Sequence, residues 1–181
     1  MEHKRVIGAV FSLGLTGKMP TVIDVAKYLG IDRDYAGRET ERLVERGEVK
    51  IDRGRVRLTE AGRGSIRVVF IGGGFELIHQ GHLYTIEKAK SLGDVLVVSI
   101  ARDSTIRRRK KREPVAKEEQ RVKLLSSLRQ VDAAILGVEG DIYETLERVA
   151  PDVVALGYDQ YHLEAEVSKE ATRRGLKLRV V

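Results

Sequence analysis

Two rhythms of apolar residues divide this chain. From Lys4 to Leu15 they recur at helical spacing, until Gly17 and Pro20 break the pattern. A short helix is expected from Thr21 to Leu29, with Thr21 as N-cap and Asp24 placed to complete a capping box. Gly30-Ile31-Asp32 turns the chain into a third helix, about Asp34 to Arg46. Beyond Gly47 the period drops to two: Val49 and Ile51, then Val56 and Leu58, flank Asp52-Arg53-Gly54-Arg55, which predicts a β-hairpin. Three helices and a hairpin, closed by Leu58-Thr59-Glu60-Ala61-Gly62, predict a small winged helix-turn-helix domain over residues 1–64.

From residue 66 onwards continuous apolar runs alternate with helical patterns. Strands are expected at Arg67–Ile71, Val95–Ile100, Ala133–Leu136, Val153–Leu156 and Lys177–Val181. Helices are expected at His82–Leu92, Lys117–Leu128, Ile142–Ala150 and His162–Arg174. Runs such as Val95-Leu96-Val97-Val98 suit parallel strands covered on both faces. Strict alternation implies right-handed crossovers, so residues 66–181 read as an α/β domain: a Rossmann-like doubly wound parallel sheet of about five strands. Ligands of such sheets bind beyond the carboxyl ends of the strands.

Composition narrows the classes. With 42% apolar and 33% charged residues the chain can build an ordinary core. No apolar run approaches a membrane span, and Met1-Glu2-His3-Lys4-Arg5 does not lead into a signal peptide, so a cytoplasmic location with no membrane partner is expected. The absence of cysteine removes disulfides, thiolate metal sites and a cysteine nucleophile. The net charge of +6 suits anionic ligands, nucleotide or nucleic acid alike.

Candidate chemistry gathers at the strand ends. Gly72-Gly73-Gly74-Phe75-Glu76-Leu77-Ile78-His79-Gln80-Gly81-His82 reads as a strand, a glycine turn and a helix N-terminus. Free N–H groups and the helix dipole favour an anion there, and glycines let phosphate oxygens approach the backbone. His79 and His82 add donors for charge that builds up during phosphoryl transfer. The spacing is neither the dinucleotide fingerprint nor a Walker loop. After the second strand, Arg107-Arg108-Arg109-Lys110-Lys111-Arg112 reads as a loop: a solvated charge run, a nucleic-acid contact or, favoured by its place at the strand end, a flap that closes over a triphosphate with Lys110 and Lys111 as clamp cations. Arg121 either faces the phosphates or pairs with Glu118 at i,i+3. The fourth strand ends in Gly157-Tyr158-Asp159, where Gly157 admits a flat base and Asp159 offers a hydrogen bond to nucleobase or sugar. No metal site is expected, since no cysteine or nearby carboxylate pair completes a set with the histidines.

The pieces GGGFELIHQGH, SLGDVLVVSIARDST, RRRKKREPVAKEEQR, VDAAILG and PDVVALGYDQ resemble the cytidylyltransferase-like nucleotidyltransferases, with HQGH in place of their HxGH signature. More narrowly they are similar to the archaeal FAD synthases, which are FMN adenylyltransferases. The resemblance implies that Gly74, Phe75, His79, Gln80, Gly81, His82 and Asp159 line an ATP site. It implies the reaction ATP + FMN to FAD + pyrophosphate, with Mg²⁺ riding on the triphosphate. Within the family Gly74 is often Thr, Glu76 usually Asp and Gln80 usually Pro. Members also continue beyond the position of Val181 into a segment that contacts phosphates. Its absence here implies a weak enzyme, a wall borrowed from a homodimer partner, or a nucleotide- or flavin-sensing regulator. Two alternatives stand beside the flavin reading: a cytidylyltransferase using CTP and a polyol or lipid-precursor phosphate, and a DNA-binding regulator. For residues 1–64, Arg53, Arg55 and Arg57 of the hairpin are the candidates for DNA phosphates, against a dimerisation or regulatory role.

Overall fold

The structure is a computed structural model that describes residues 2–17, 19–157 and 163–181. It separates into two compact units, Met1–Ile66 and Arg67–Val181.

The first unit consists of α1 (Glu2–Leu15), α2 (Val22–Leu29), α3 (Arg33–Glu45), the antiparallel pair β1 (Val49–Asp52) and β2 (Arg55–Leu58), and the short α4 (Glu60–Gly64). Helix starts follow local side-chain chemistry. Asp24 Oδ2 accepts from the Thr21 N–H at 2.8 Å while Thr21 Oγ1 accepts from the Asp24 N–H at 3.2 Å, the reciprocal box expected from the sequence. That contact holds the Asp24 carboxyl below the usual carboxylate range, chiefly through the Thr21 backbone N–H. Asp32 caps α3 by accepting from the Tyr35 N–H at 3.0 Å. The hairpin turns through Arg53 and Gly54, with φ of 48° and 75°. Two successive left-handed residues make a type I′ turn, the form that suits strand twist. Pro20 O accepts from the Val56 N–H at 2.7 Å, tying β2 to the chain between α1 and α2.

The second unit is a parallel sheet of β3 (Val68–Gly73), β4 (Val95–Ile100), β5 (Ala133–Leu136), β6 (Val153–Val154) and β7 (Arg179–Val180). The strand order is β5-β4-β3-β6-β7. Its helices are α5 (Gln80–Lys90), α6 (Asp103–Lys110), α7 (Glu118–Ser126), α8 (Ile142–Val149) and α9 (Glu164–Arg173). Side chains alternate across the pleat. One face presents Val69, Ile71, Leu96, Val98 and Ile100, packed with Ile86 and Ala89 of α5 and Leu125 of α7. The order reverses between β3 and β6, so the crevice at their carboxyl ends is the expected ligand position.

The amino ends of the strands are closed by three aspartates, each one residue ahead of a strand. Asp94 accepts from the Arg67 N–H at 2.8 Å, Asp132 from Leu96 at 2.6 Å and Asp152 from Val68 at 2.6 Å. Each carboxylate satisfies an N–H that the ladder leaves over.

Several expectations need correction. The basic run is not a loop: Arg107 to Lys110 form the last turn of α6, and Lys111 is its left-handed C-cap, φ 54°. Cations at a helix C-terminus complement the dipole, which favours helix over a self-repelling coil. The strand expected at Arg67–Ile71 runs on to Gly73, because β4 continues beside it to Ile100. The strands expected at Val153–Leu156 and Lys177–Val181 are shorter, pairing only Val153↔Arg179 and Val154↔Val180. The start of the helix expected from His162 lies outside the described residues.

Gly62 on α4 supplies a test of packing. A Cβ there would lie 1.9 Å from the Glu48 carbonyl oxygen, a backbone atom that cannot swing aside. Gly62→Ala should destabilise the chain by about 2 kcal/mol or more, read as a shift of the urea midpoint. Gly64→Ala, whose Cβ meets open space, should leave that midpoint unchanged or slightly raised.

Candidate active site

The site begins where β3 runs out. Gly73 is the last residue of the strand, and a Cβ on it would stand 2.9 Å from the Phe75 ring, so a side chain at 73 would evict that ring. Phe75 itself has φ 48°, uncommon for a bulky residue. The strain is held by packing: the ring is 8% exposed and belongs to the core beside β3 and α5. This sharp turn aims the chain so that His79 becomes the N-cap of α5.

His79 Nδ1 accepts from the Gly81 N–H at 3.2 Å. An imidazole accepting at Nδ1 carries its neutral-form proton at Nε2, so His79 presents an Nε2–H donor away from its own helix. His82 lies one turn on, its ring centroid 4.0 Å from that of His79 and 5.4 Å from Phe75. Phe75 thus forms a floor beneath His82. Gly74 faces open space, since an added Cβ would meet nothing within 4 Å. Gly74, Phe75, His79, Gln80, Gly81 and His82 therefore form one contiguous cradle around a helix N-terminus. Oriented N–H groups and a ring N–H in that arrangement stabilise negative charge on a phosphoryl group.

The cations are arranged differently from the sequence expectation. Glu76, in the turn after Phe75, gathers the end of the basic run. Lys110 Nζ donates to Oε2 at 2.5 Å, Arg112 donates to Oε1 at 2.8 Å and Oε2 at 3.1 Å, and the Val115 N–H to Oε1 at 3.1 Å. Hydrogen bonds from Arg112 first, then Lys110, pull the Glu76 carboxyl down to about 2. Lys110 is therefore held beside the cradle by a carboxylate, while Lys111 stands exposed at the helix cap. Arg107 turns to Glu113, 2.8 Å away. Arg121 does not reach outwards at all: it is 1% exposed and its guanidinium is spent inside the fold. It pairs with Asp103 at 2.5 Å, and the Glu118 considered from the sequence instead accepts from the Asp103 N–H. Gly157 follows β6 at the reversal of strand order, so it flanks the same crevice. Asp159 lies outside the described residues.

Sequence reasoning missed Glu76 as an anchor and Asp103 as the partner of Arg121. For Asp103 the sign pattern offered a signal, since it is a lone carboxylate beside a run of cations; for Glu76 it offered none, since its partners lie 34 and 36 residues away.

Residues 70–181 match the model of the cytidylyltransferase-like family. The chain belongs to that family. Among relatives of this cytidylyltransferase-like chain, a FAD synthase of Archaeoglobus profundus is 47% identical over 116 residues, covering 64% of this chain and 73% of that protein. A FAD synthase of Methanothermus fervidus is 48% identical over 112 residues, 60% of this chain and 77% of its own. The crystal structure of a lipopolysaccharide core biosynthesis protein from Thermoplasma volcanium superposes with a TM-score of 0.61 at 41% identity, over 64% of this chain and 94% of that one. A pantoate-beta-alanine ligase from Francisella tularensis shares the fold, with a TM-score of 0.51 at 21% identity over 65% of this chain and 58% of that one.

The Glu76 cluster makes a pH prediction. A carboxyl depressed in the folded state stabilises above its unfolded value, near 4.5, and loses that contribution as pH falls through about 2. The clasp on Lys110, Arg112 and Val115 should thus hold unchanged from pH 8 to pH 5. Hydrogen exchange at the Val115 amide, corrected for intrinsic rate, should show constant protection across that range and lose it in Glu76→Gln. Protection that fades between pH 8 and 5 would show that Glu76 is not the anchor.

Proposed function

We propose that this nucleotidyltransferase is an FMN adenylyltransferase, converting ATP and FMN to FAD and pyrophosphate. The reading rests on the HQGH cradle, set in a domain with several FAD synthase relatives at 42–48% identity. An oxygen of the FMN phosphate attacks the α-phosphorus of ATP in line. The new P–O bond forms as the bond to the pyrophosphate oxygen breaks, and no covalent enzyme intermediate is required. The cradle holds the triphosphate by N–H groups of the glycine turn and the α5 N-terminus. The Nε2–H of His79 and the ring of His82 stabilise charge on the transferring and leaving phosphates. Lys110, steadied by Glu76, and the exposed Lys111 supply positive charge beside the leaving pyrophosphate. Gly157 and Asp159 serve base recognition. Among the described residues no group of three or more His, Cys, Asp or Glu gathers to hold a metal. A Mg²⁺ accompanying the nucleotide would ride on the triphosphate with few protein ligands and would offset phosphate charge there. Among the same residues no helix is long and apolar enough to cross a membrane.

For the first unit we infer a nucleic-acid partner of the winged-helix kind, met by the hairpin. The register sets Lys50 directly opposite Arg57, an unfavourable pairing of like charges unless an anion meets it. Arg53 occupies a left-handed turn position where Asn or Gly is preferred. Among the described residues none of these three cations has a carboxylate partner. On α3, by contrast, Arg42 and Arg46 pair with Glu39 and Glu48.

Two outcomes are expected. Pyrophosphate release should be seen with ATP plus FMN, and His82→Ala should lower kcat by about 10²-fold or more. Release with CTP plus glycerol phosphate, but not with ATP plus FMN, would replace the acceptor and the base together. Duplex DNA binding should weaken steeply with salt, and Arg53→Ala with Arg57→Ala should flatten that slope by about two ion equivalents. A slope that does not respond would remove the hairpin from the contact.

A further inference from the structure

Arg121 poses a question of economy. A charged side chain that is 1% exposed carries a large desolvation cost, and an apolar residue of similar volume often serves stability as well or better. What the guanidinium adds is a planar fork of donors. Nη1 donates to the carbonyls of Gly74 at 2.7 Å and Ala101 at 2.8 Å, Nε to that of Ala116 at 2.9 Å, and Nη2 to Asp103 Oδ1 at 2.5 Å. These acceptors belong to four segments along one edge of the sheet. They are the glycine turn after β3, the residue after β4, the first turn of α6 and the approach to α7.

The ladder explains why such a fork is needed there. The last β3–β4 bond runs from the Ala101 N–H to the Gly73 carbonyl at 2.9 Å. One residue further, Arg121 Nη1 bridges the Gly74 and Ala101 carbonyls. The guanidinium thus continues the β3–β4 pairing past the end of the strands, into the turn that forms the cradle. Through Asp103 it also grips the start of the helix that carries the basic run. Asp103 is itself fixed, because Glu118 Oε2 accepts from its backbone N–H at 2.8 Å and Glu118 pairs with Arg102 at 3.4 Å.

We infer that Arg121 is a positioning residue for nucleotidyl transfer: it sets the glycine turn and the basic helix at one fixed separation. A polyphosphate then meets the histidine side and the cationic side of the site in a single geometry. This inference rests on the transferase reading above. Displacements near 1 Å cost transfer rates on the order of 10²-fold, so a small loosening should register in kcat.

The test is Arg121→Lys in the full chain, with Asp103→Asn as a milder variant that keeps an acceptor for Nη2. Lysine keeps the charge and loses the fork. The expected result is a kcat about 10- to 100-fold lower, a KM for the nucleotide within about 3-fold of the original, and a smaller kcat loss in Asp103→Asn. Hydrogen exchange on the same samples should quicken together at residues 72–76 and 101–106 while β5 and the lower turns of α5 keep their protection. Unchanged kcat in a folded Arg121→Lys protein would overturn the inference, as would exchange that quickens uniformly across the unit. If the unaltered chain transfers no nucleotide, the transferase reading fails instead. Joint loosening of the two segments would then still establish the bridge, and independent behaviour would refute it.

Discussion

A sheet ligand site has to be built where backbone pairing stops, and stopping leaves carbonyls and amides without partners. That constraint governs the second unit. At the carboxyl edge β3 ends in glycines and β4 ends at Ile100, and the groups beyond them need acceptors and donors from elsewhere. A buried guanidinium supplies the donors, and a helix N-cap histidine takes up one of the amides. The left-handed Phe75 is tolerated because its ring is locked in the core. Strain, burial and a charged fork all appear within a few residues of one another because they answer the same shortage of partners.

Where neighbouring residues decide the conformation, the sequence is transparent. The Thr21–Asp24 box, the Asp32 cap and the hairpin register Ile51↔Val56 depend on residues a few positions apart, and each is visible in the pattern. The parallel sheet is equally legible, since runs such as Val95 to Val98 have no other use. The contiguous part of the site, Gly74 to His82, is legible for the same reason: one turn and one helix start carry it.

Non-local contacts were opaque. Helix α6 has one fully buried apolar anchor, Ile106, and otherwise depends on a carboxylate from α7 and on its dipole, so no periodicity betrays it. The direction of Arg121 could not be read, because an arginine in the first turn of a helix points into or out of a fold according to partners far along the chain. Glu76 collects cations 34 and 36 residues away, beyond the reach of any local pattern. The three aspartates ahead of β4, β5 and β6 escaped notice because their acceptor role requires the sheet order to be known.

Those aspartates have a consequence for how the sheet meets solutes. By accepting from the leftover N–H groups at the amino edge they take up amides that could otherwise hold an anion, with Lys90 paired to Asp132 among them, while the opposite side presents amides, imidazoles and cations. The sheet is thereby asymmetric along its strands, with its amides taken up at one end and offered at the other. A phosphate group is therefore favoured at the carboxyl end of the strands, whatever molecule carries it. Selection of orientation precedes any recognition of base or acceptor.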